Sequence, residues 1–130
     1  MNIAAIFDGW NRKKQKLHLL ERELNFHERE VWFCDLGINI GHEQNGGKNY
    51  LRPILVLKKF NKRLFWGLPL TKAKKSRAFH FPVRPIRKQN SHIILSQIRT
   101  IDANRLENKM GMVTKREFSD IKKAIGKWLE

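Results

Sequence analysis

Between Gln44 and Ile101 the chain has no carboxylate at all. Two-metal nucleases hold their ions with clustered carboxylates, so this middle section has nothing with which to build such a site. Cysteine is almost missing as well. The single Cys34 excludes an internal disulfide and a cysteine-rich zinc site, which fits a reducing cytoplasm. No apolar run approaches the ~20 residues that span a bilayer. The start, MNIAAIFDGW, lacks a basic n-region and a long enough apolar stretch for a signal peptide. The expectation is a soluble, cytoplasmic protein of one domain, since 130 residues with 41% hydrophobic content can bury a real core.

What is present in excess is positive charge. Lys and Arg number 27 against 12 Asp and Glu, a formal +15 with a pI near 10.5. Fourteen of those cations, from Lys48 to Arg99, fall inside the section without carboxylates. Solubility alone is normally served by mixed signs, whereas a block of one sign attracts phosphates. Nucleic acid is the partner this distribution fits.

Residues 10–27, WNRKKQKLHLLERELNFH, are expected to form a helix with Asp8 as N-cap and Trp10, Leu17, Leu20 and Leu24 on one stripe. His18 and His27 are read as ordinary helix residues. Short strands are expected at 31–36, 53–60, 63–70, 77–83, 92–98 and 109–113. Asn61-Lys62 should join the second to the third as an antiparallel pair. Thr114 and Glu117 form a T-x-x-E capping box ahead of Phe118, Ile121, Ile125, Trp128 and Leu129 at helical spacing, with Trp128 read as a core plug. Short, frequent strands without intervening helices point to a mainly β fold, a small antiparallel barrel with a C-terminal helix and an extra N-terminal helix. Residues 1–29 are then a helical extension and 30–130 the barrel domain.

The stretch GHEQNGGKNYLRPILVL, 41–57, is a glycine-rich polar loop that ends in Arg-Pro and turns at once into an apolar strand. Pro53 biases Arg52 to an extended conformation and suits a strand start. Arg52 is thereby fixed at a strand mouth, where its fork could clamp a phosphate or could pair with Glu43 or a backbone carbonyl. Thr71 ends GLPLT and would face Arg52 if the two strands pair. LSQIRTID, 95–102, puts Gln97 and Arg99 on one side if it is extended.

The ordered set xVWxxDLG, GHEQ, a glycine-containing loop, RPxLVL, PLT and QIRTID-xxRL resembles the MazF/PemK family of type II toxins, from about Glu30 to Leu129. The resemblance implies an SH3-like barrel working as a homodimer, without a cofactor or metal, that cleaves single-stranded RNA at short preferred sequences and is blocked by a cognate antitoxin. It implies attack of the ribose 2′-OH on the adjacent phosphate, leaving 2′,3′-cyclic phosphate and 5′-OH ends. Arg52 and Thr71 match the family's catalytic pair, and His42 matches a histidine given a catalytic role in the PemK/Kid branch. On its chemistry His42 could take the 2′-OH proton or could be a polar loop residue contacting substrate. Glu43, Gln44, Lys72, Lys74, Lys75, Arg77, Gln97 and Arg99 are the expected RNA contacts, with Arg84, Arg87 and Lys88 behind them. Phe79 and Phe81 are read as core rather than as a stacking platform. Where the PemK/Kid branch carries an arginine and an aspartate before its Q-x-R-T-I-D, this chain has Ile94 and Ser96, so that branch's proton relay does not transfer. Two other functions fit the same barrel: a CcdB-like gyrase poison and a non-catalytic RNA-binding module.

Overall fold

The computed structural model describes residues 2–37, 39, 50–72 and 79–130. Helix α1 (Ile3–His18) is followed by strands β1 (Glu30–Asp35), β2 (Leu51–Lys59), β3 (Leu64–Thr71), β4 (His80–Ile86), β5 (Gln89–Ile94), β6 (Arg99–Asp102) and β7 (Leu106–Met112), then helix α2 (Lys115–Lys127). The strands form one curled antiparallel sheet in the order β4-β5-β3-β2-β1-β7. β3 is the hinge of the curl: its first half pairs with β6 from Leu64 to Gly67, and its end, Leu70 and Thr71, pairs with β5. This is the mainly β, barrel-like fold with a C-terminal helix that the sequence implies.

Adjacent residues of the central strands enter different cores, as a two-residue side-chain period requires. Val31, Leu55, Leu57, Leu68, Leu70 and Ile93 meet Phe118 and Ile121 of α2 on one face. Trp32, Cys34, Ile54, Val56, Phe65 and Ile101 pack with Phe26 on the other. Burial on both faces is why VWFCDL and PILVL read as unbroken apolar runs rather than alternating ones.

The capping box forms as expected: the Glu117 amide donates to Thr114 Oγ1 (3.1 Å), and the Thr114 amide donates to Glu117 Oε1 (2.9 Å). Trp128 is a correction. It sits just past α2, 47% exposed and edge-to-face with Phe79, while Ala124 and Ile125 are what the last turn of the helix packs on the core. Phe79 is likewise exposed, preceding β4 rather than lying in it, whereas Phe81 packs on the α2-side core.

The N-terminal helix starts earlier and ends earlier than its apolar spacing suggests. Asn2, not Asp8, is the N-cap, its side chain accepting from the Ala4 and Ala5 amides. Chain after Leu19 is irregular, because its groups find partners on the barrel: Arg22 donates to the carbonyls of Asn104 and Leu106, and Asn104 donates to those of Leu17 and Leu20. Phe26 is wholly buried. The sequence segment expected as one strand at 92–98 is also divided. β5 stops at Ile94, a 3₁₀ turn covers Leu95–Gln97, and β6 begins at Arg99. That break lets the chain leave one half of β3 and rejoin the other. Among the described residues no helix is long and apolar enough to cross a membrane.

Candidate functional site

The β2–β3 register runs Ile54 opposite Pro69, Leu55 opposite Leu68. Continued by two residues it sets Arg52 opposite Thr71, as the sequence suggests. The guanidinium agrees: Arg52 Nη1 donates to the Leu70 carbonyl at 3.0 Å, one residue from Thr71. Of the partners left open by the sequence, the structure thus shows Arg52 paired with a backbone carbonyl. Arg52 is partly buried, and that burial lowers its pKa, which makes the cation costlier to keep without an anion near it.

Three features hold Arg52 at this strand mouth. Tyr50, two residues earlier, adopts a left-handed backbone (φ 66°) whose carbonyl accepts from the Leu36 and Gly37 amides at 3.0 and 3.1 Å. The Tyr50 hydroxyl donates to the Ile6 carbonyl of α1 (3.1 Å), and its ring packs on Trp10 with centroids 5.4 Å apart. Pro53 opposes Phe33 of β1, where a missing amide donor is tolerated at the strand's start. The N-terminal helix therefore buttresses the residue that leads into Arg52.

Beside Arg52 on β1 lies Cys34, wholly buried, its thiol pushed up to about 12 chiefly by that burial. It is no nucleophile under ordinary conditions. Arg99 and Arg105 exert their charge on it, and so do the carboxylates of Asp35 and Glu107, so charges of both signs surround this end of the sheet. Arg105 Nη1 donates to the Asp35 carbonyl (3.1 Å), while the Asp35 carboxylate, fully enclosed, pairs with Lys13 of α1.

Of the residues expected from sequence, Arg52 and Thr71 come together. Arg99 opposes Gly67 on β3, two alternations from Thr71 on the same face; Gln97 lies in the preceding turn, so the strand alternation expected to put it on one side with Arg99 does not run between them. Lys72 is exposed directly after Thr71. His42, Glu43, Gln44, Lys74, Lys75 and Arg77 lie outside the described residues. Sequence reasoning passed over His92. It is the registered partner of Thr71 on β5, and its ring lies 6.5 Å from that of His80 on β4. The signal available was only a histidine opening HIIL; its meaning depends on which strand lies next to β3.

No curated protein matches the chain by sequence. In solved structures it is similar to MazF (Form-I) from Deinococcus radiodurans, with TM-score 0.68 and 18% identity over 84% of this chain and 98% of that one. It is also similar to the Mycobacterium tuberculosis toxin MazF-mt6, with TM-score 0.60 and 19% identity over 78% and 96%. A third likeness is to an endoribonuclease in complex with its cognate antitoxin from a mycobacterial species, with TM-score 0.63 and 17% identity over 81% and 95%. These identities carry the fold alone. The model of the PemK-like, MazF-like toxins of type II toxin–antitoxin systems matches residues 27–129, which take in both core faces, Arg52, Thr71 and α2, and the chain belongs to that family.

Proposed function

We propose that this chain is the toxin of a type II toxin–antitoxin pair and cleaves single-stranded RNA, without metal, at short preferred sequences. The observation that carries the reading is the apposition of Arg52 and Thr71 across β2 and β3. Family membership and the basic block without carboxylates support it.

In this reading the 2′-oxygen forms a bond to phosphorus as the bond to the 5′-oxygen breaks. A cyclic phosphate is left on one fragment and a 5′-OH on the other. Arg52 stays protonated throughout and clamps the charge that builds on the equatorial oxygens. Thr71 donates its hydroxyl to one of those oxygens. His42 either takes the 2′-OH proton or contacts the substrate. Lys72, Lys74, Lys75 and Arg77 follow the strand backbone, with Glu43, Gln44, Gln97 and Arg99 flanking the reacting group. The protein acts in the cytoplasm as a homodimer restrained by an antitoxin. Exposed Phe60, Leu64 and Trp66, the first and last in edge-to-face contact at 5.0 Å, are an apolar surface suited to a second copy. Residues 1–29 serve as an extension of the barrel domain 30–130, not as a separate active unit.

The test is incubation of purified protein with mixed-sequence single-stranded RNA in EDTA, beside Arg52→Ala. Cutting that survives EDTA, leaves cyclic phosphate ends and disappears in the variant supports the reading. RNA binding without cutting would leave a binding module, and inhibition of gyrase with neither would leave a poison of the CcdB kind.

A further inference from the structure

We propose that His92 is the residue that takes the 2′-OH proton, leaving His42 the role of a substrate contact. The inference rests on the ribonuclease reading and deepens it. Three adjacent strands set Arg52, Thr71 and His92 in one row: Arg52 opposite Thr71 by the continued β2–β3 register, and Thr71 opposite His92 by the β3–β5 register. Directly opposed residues of an antiparallel pair share a face, with Cβ atoms ~5 Å apart. A phosphate resting on the Thr71 hydroxyl therefore has the guanidinium to one side and the imidazole to the other. That spacing suits an in-line displacement in which one group holds the charge and another removes the proton.

The imidazole is also chemically ready. Among the described residues its buried Nδ1 has no hydrogen-bond partner. A buried polar atom left unpaired costs roughly 1–3 kcal/mol, and such atoms collect at functional sites where a substrate supplies the missing group. A ribose hydroxyl is a donor, and an imidazole nitrogen that carries no proton can accept from it. The charged or titratable groups on the same face from neighbouring strands are His80 and Arg84 of β4, Arg52 of β2 and Arg99 of β6. Imidazole is the side chain that exchanges protons near neutral pH, and between Gln44 and Ile101 the chain offers no carboxylate to do so.

In the step, the 2′-OH proton passes to His92, the 2′-oxygen bonds to phosphorus, and the 5′-oxygen departs with its electron pair and is protonated from solvent. The experiment is the pH dependence of single-turnover RNA cleavage in EDTA for the wild type, His92→Gln, His42→Ala and Arg52→Ala, with RNA affinity measured alongside. The expected result is a ~10²–10⁴-fold loss of rate in His92→Gln, with the wild type's acid limb gone and RNA affinity unchanged. His92→Ala should regain part of its rate with added imidazole, which a merely structural histidine would not allow. An acid limb that persists in His92→Gln and vanishes in His42→Ala overturns the assignment while keeping the ribonuclease. Wild-type protein that cuts nothing at any pH overturns both.

Discussion

Gly37→Ala should be among the most damaging single-methyl changes available in this chain. Gly37 has φ +68°, in the left-handed region that costs a residue with a Cβ about 1–2 kcal/mol. The added carbon would also land inside the indole ring of Trp10. Trp10 is 6% exposed and its ring packs on both the Tyr50 ring and the Arg105 guanidinium, 5.6 Å from its centroid, so it can escape only by leaving its site. Losing a buried Trp contact costs up to ~3–5 kcal/mol, of which a displaced ring forfeits the larger share. The sum is about 4 kcal/mol, a large part of the 5–15 kcal/mol that keeps a typical domain folded. At roughly 3–5 °C per kcal/mol for a chain of this size, the midpoint should fall by ~12–20 °C in a thermal melt followed by circular dichroism. A double-mutant cycle isolates the cause. In a Trp10→Ala background the same glycine change should cost only the backbone strain, ~1–2 kcal/mol. Equal costs in the two backgrounds would refute the docking of α1 described above, as would a Gly37→Ala protein that melts within a degree or two of the wild type.

Asp35, enclosed and pushed up to about 7 mainly by burial and then by the Glu107 side chain against the pull of Lys13, makes stability depend on pH. Its folded pKa lies above the unfolded value of about 3.9, so the folded state holds the extra proton between about pH 4 and 7 and this group's contribution falls as pH rises through that window. Urea titrations of Asp35→Asn should show a shallower decline with pH there than the wild type, and parallel curves would count against the burial argument. Thr114→Ala removes the acceptor for the Glu117 amide and should lower unfolding free energy by about 1 kcal/mol, read from the denaturation midpoint at unchanged slope. Arg52→Lys keeps the charge but not the fork that donates to Leu70 while facing a phosphate; RNA cleavage should drop ~10²-fold or more, and a near-normal rate would show that a point charge suffices. Thr71→Val, equal in volume, should slow cleavage while leaving the melting midpoint within a few degrees, since Thr71 sits at the strand's end and not in either core.

Some elements were legible because their causes are local. The Thr114/Glu117 box and the apolar spacing behind it mark α2 whatever surrounds them. Pro53 and the run after it mark β2. Other elements misled for a physical reason. The stripe Trp10, Leu17, Leu20, Leu24 has helical spacing, yet only the first two lie in α1; Arg22 and Asn104 trade the remaining helical bonds for bonds to the barrel. The β4–β5 turn at Arg87-Lys88 carries positive φ at both residues without the usual Gly or Asn. Arg87 compensates by donating to the carbonyls of Met110 and Lys109, a tie between strands distant in sequence.

The sequence by itself determined the charge block, the absence of carboxylates from it, the two strands of the Arg52–Thr71 pair and the closing helix, since each follows from neighbours in the chain. Only the tertiary structure decided that α1 props the strand mouth through Trp10 and Tyr50, and that β5 lies beside the end of β3. Strand order between distant segments is set by which faces bury together, and no local pattern encodes it. That is why Thr71 could be singled out from the sequence while the histidine across from it, His92, could not.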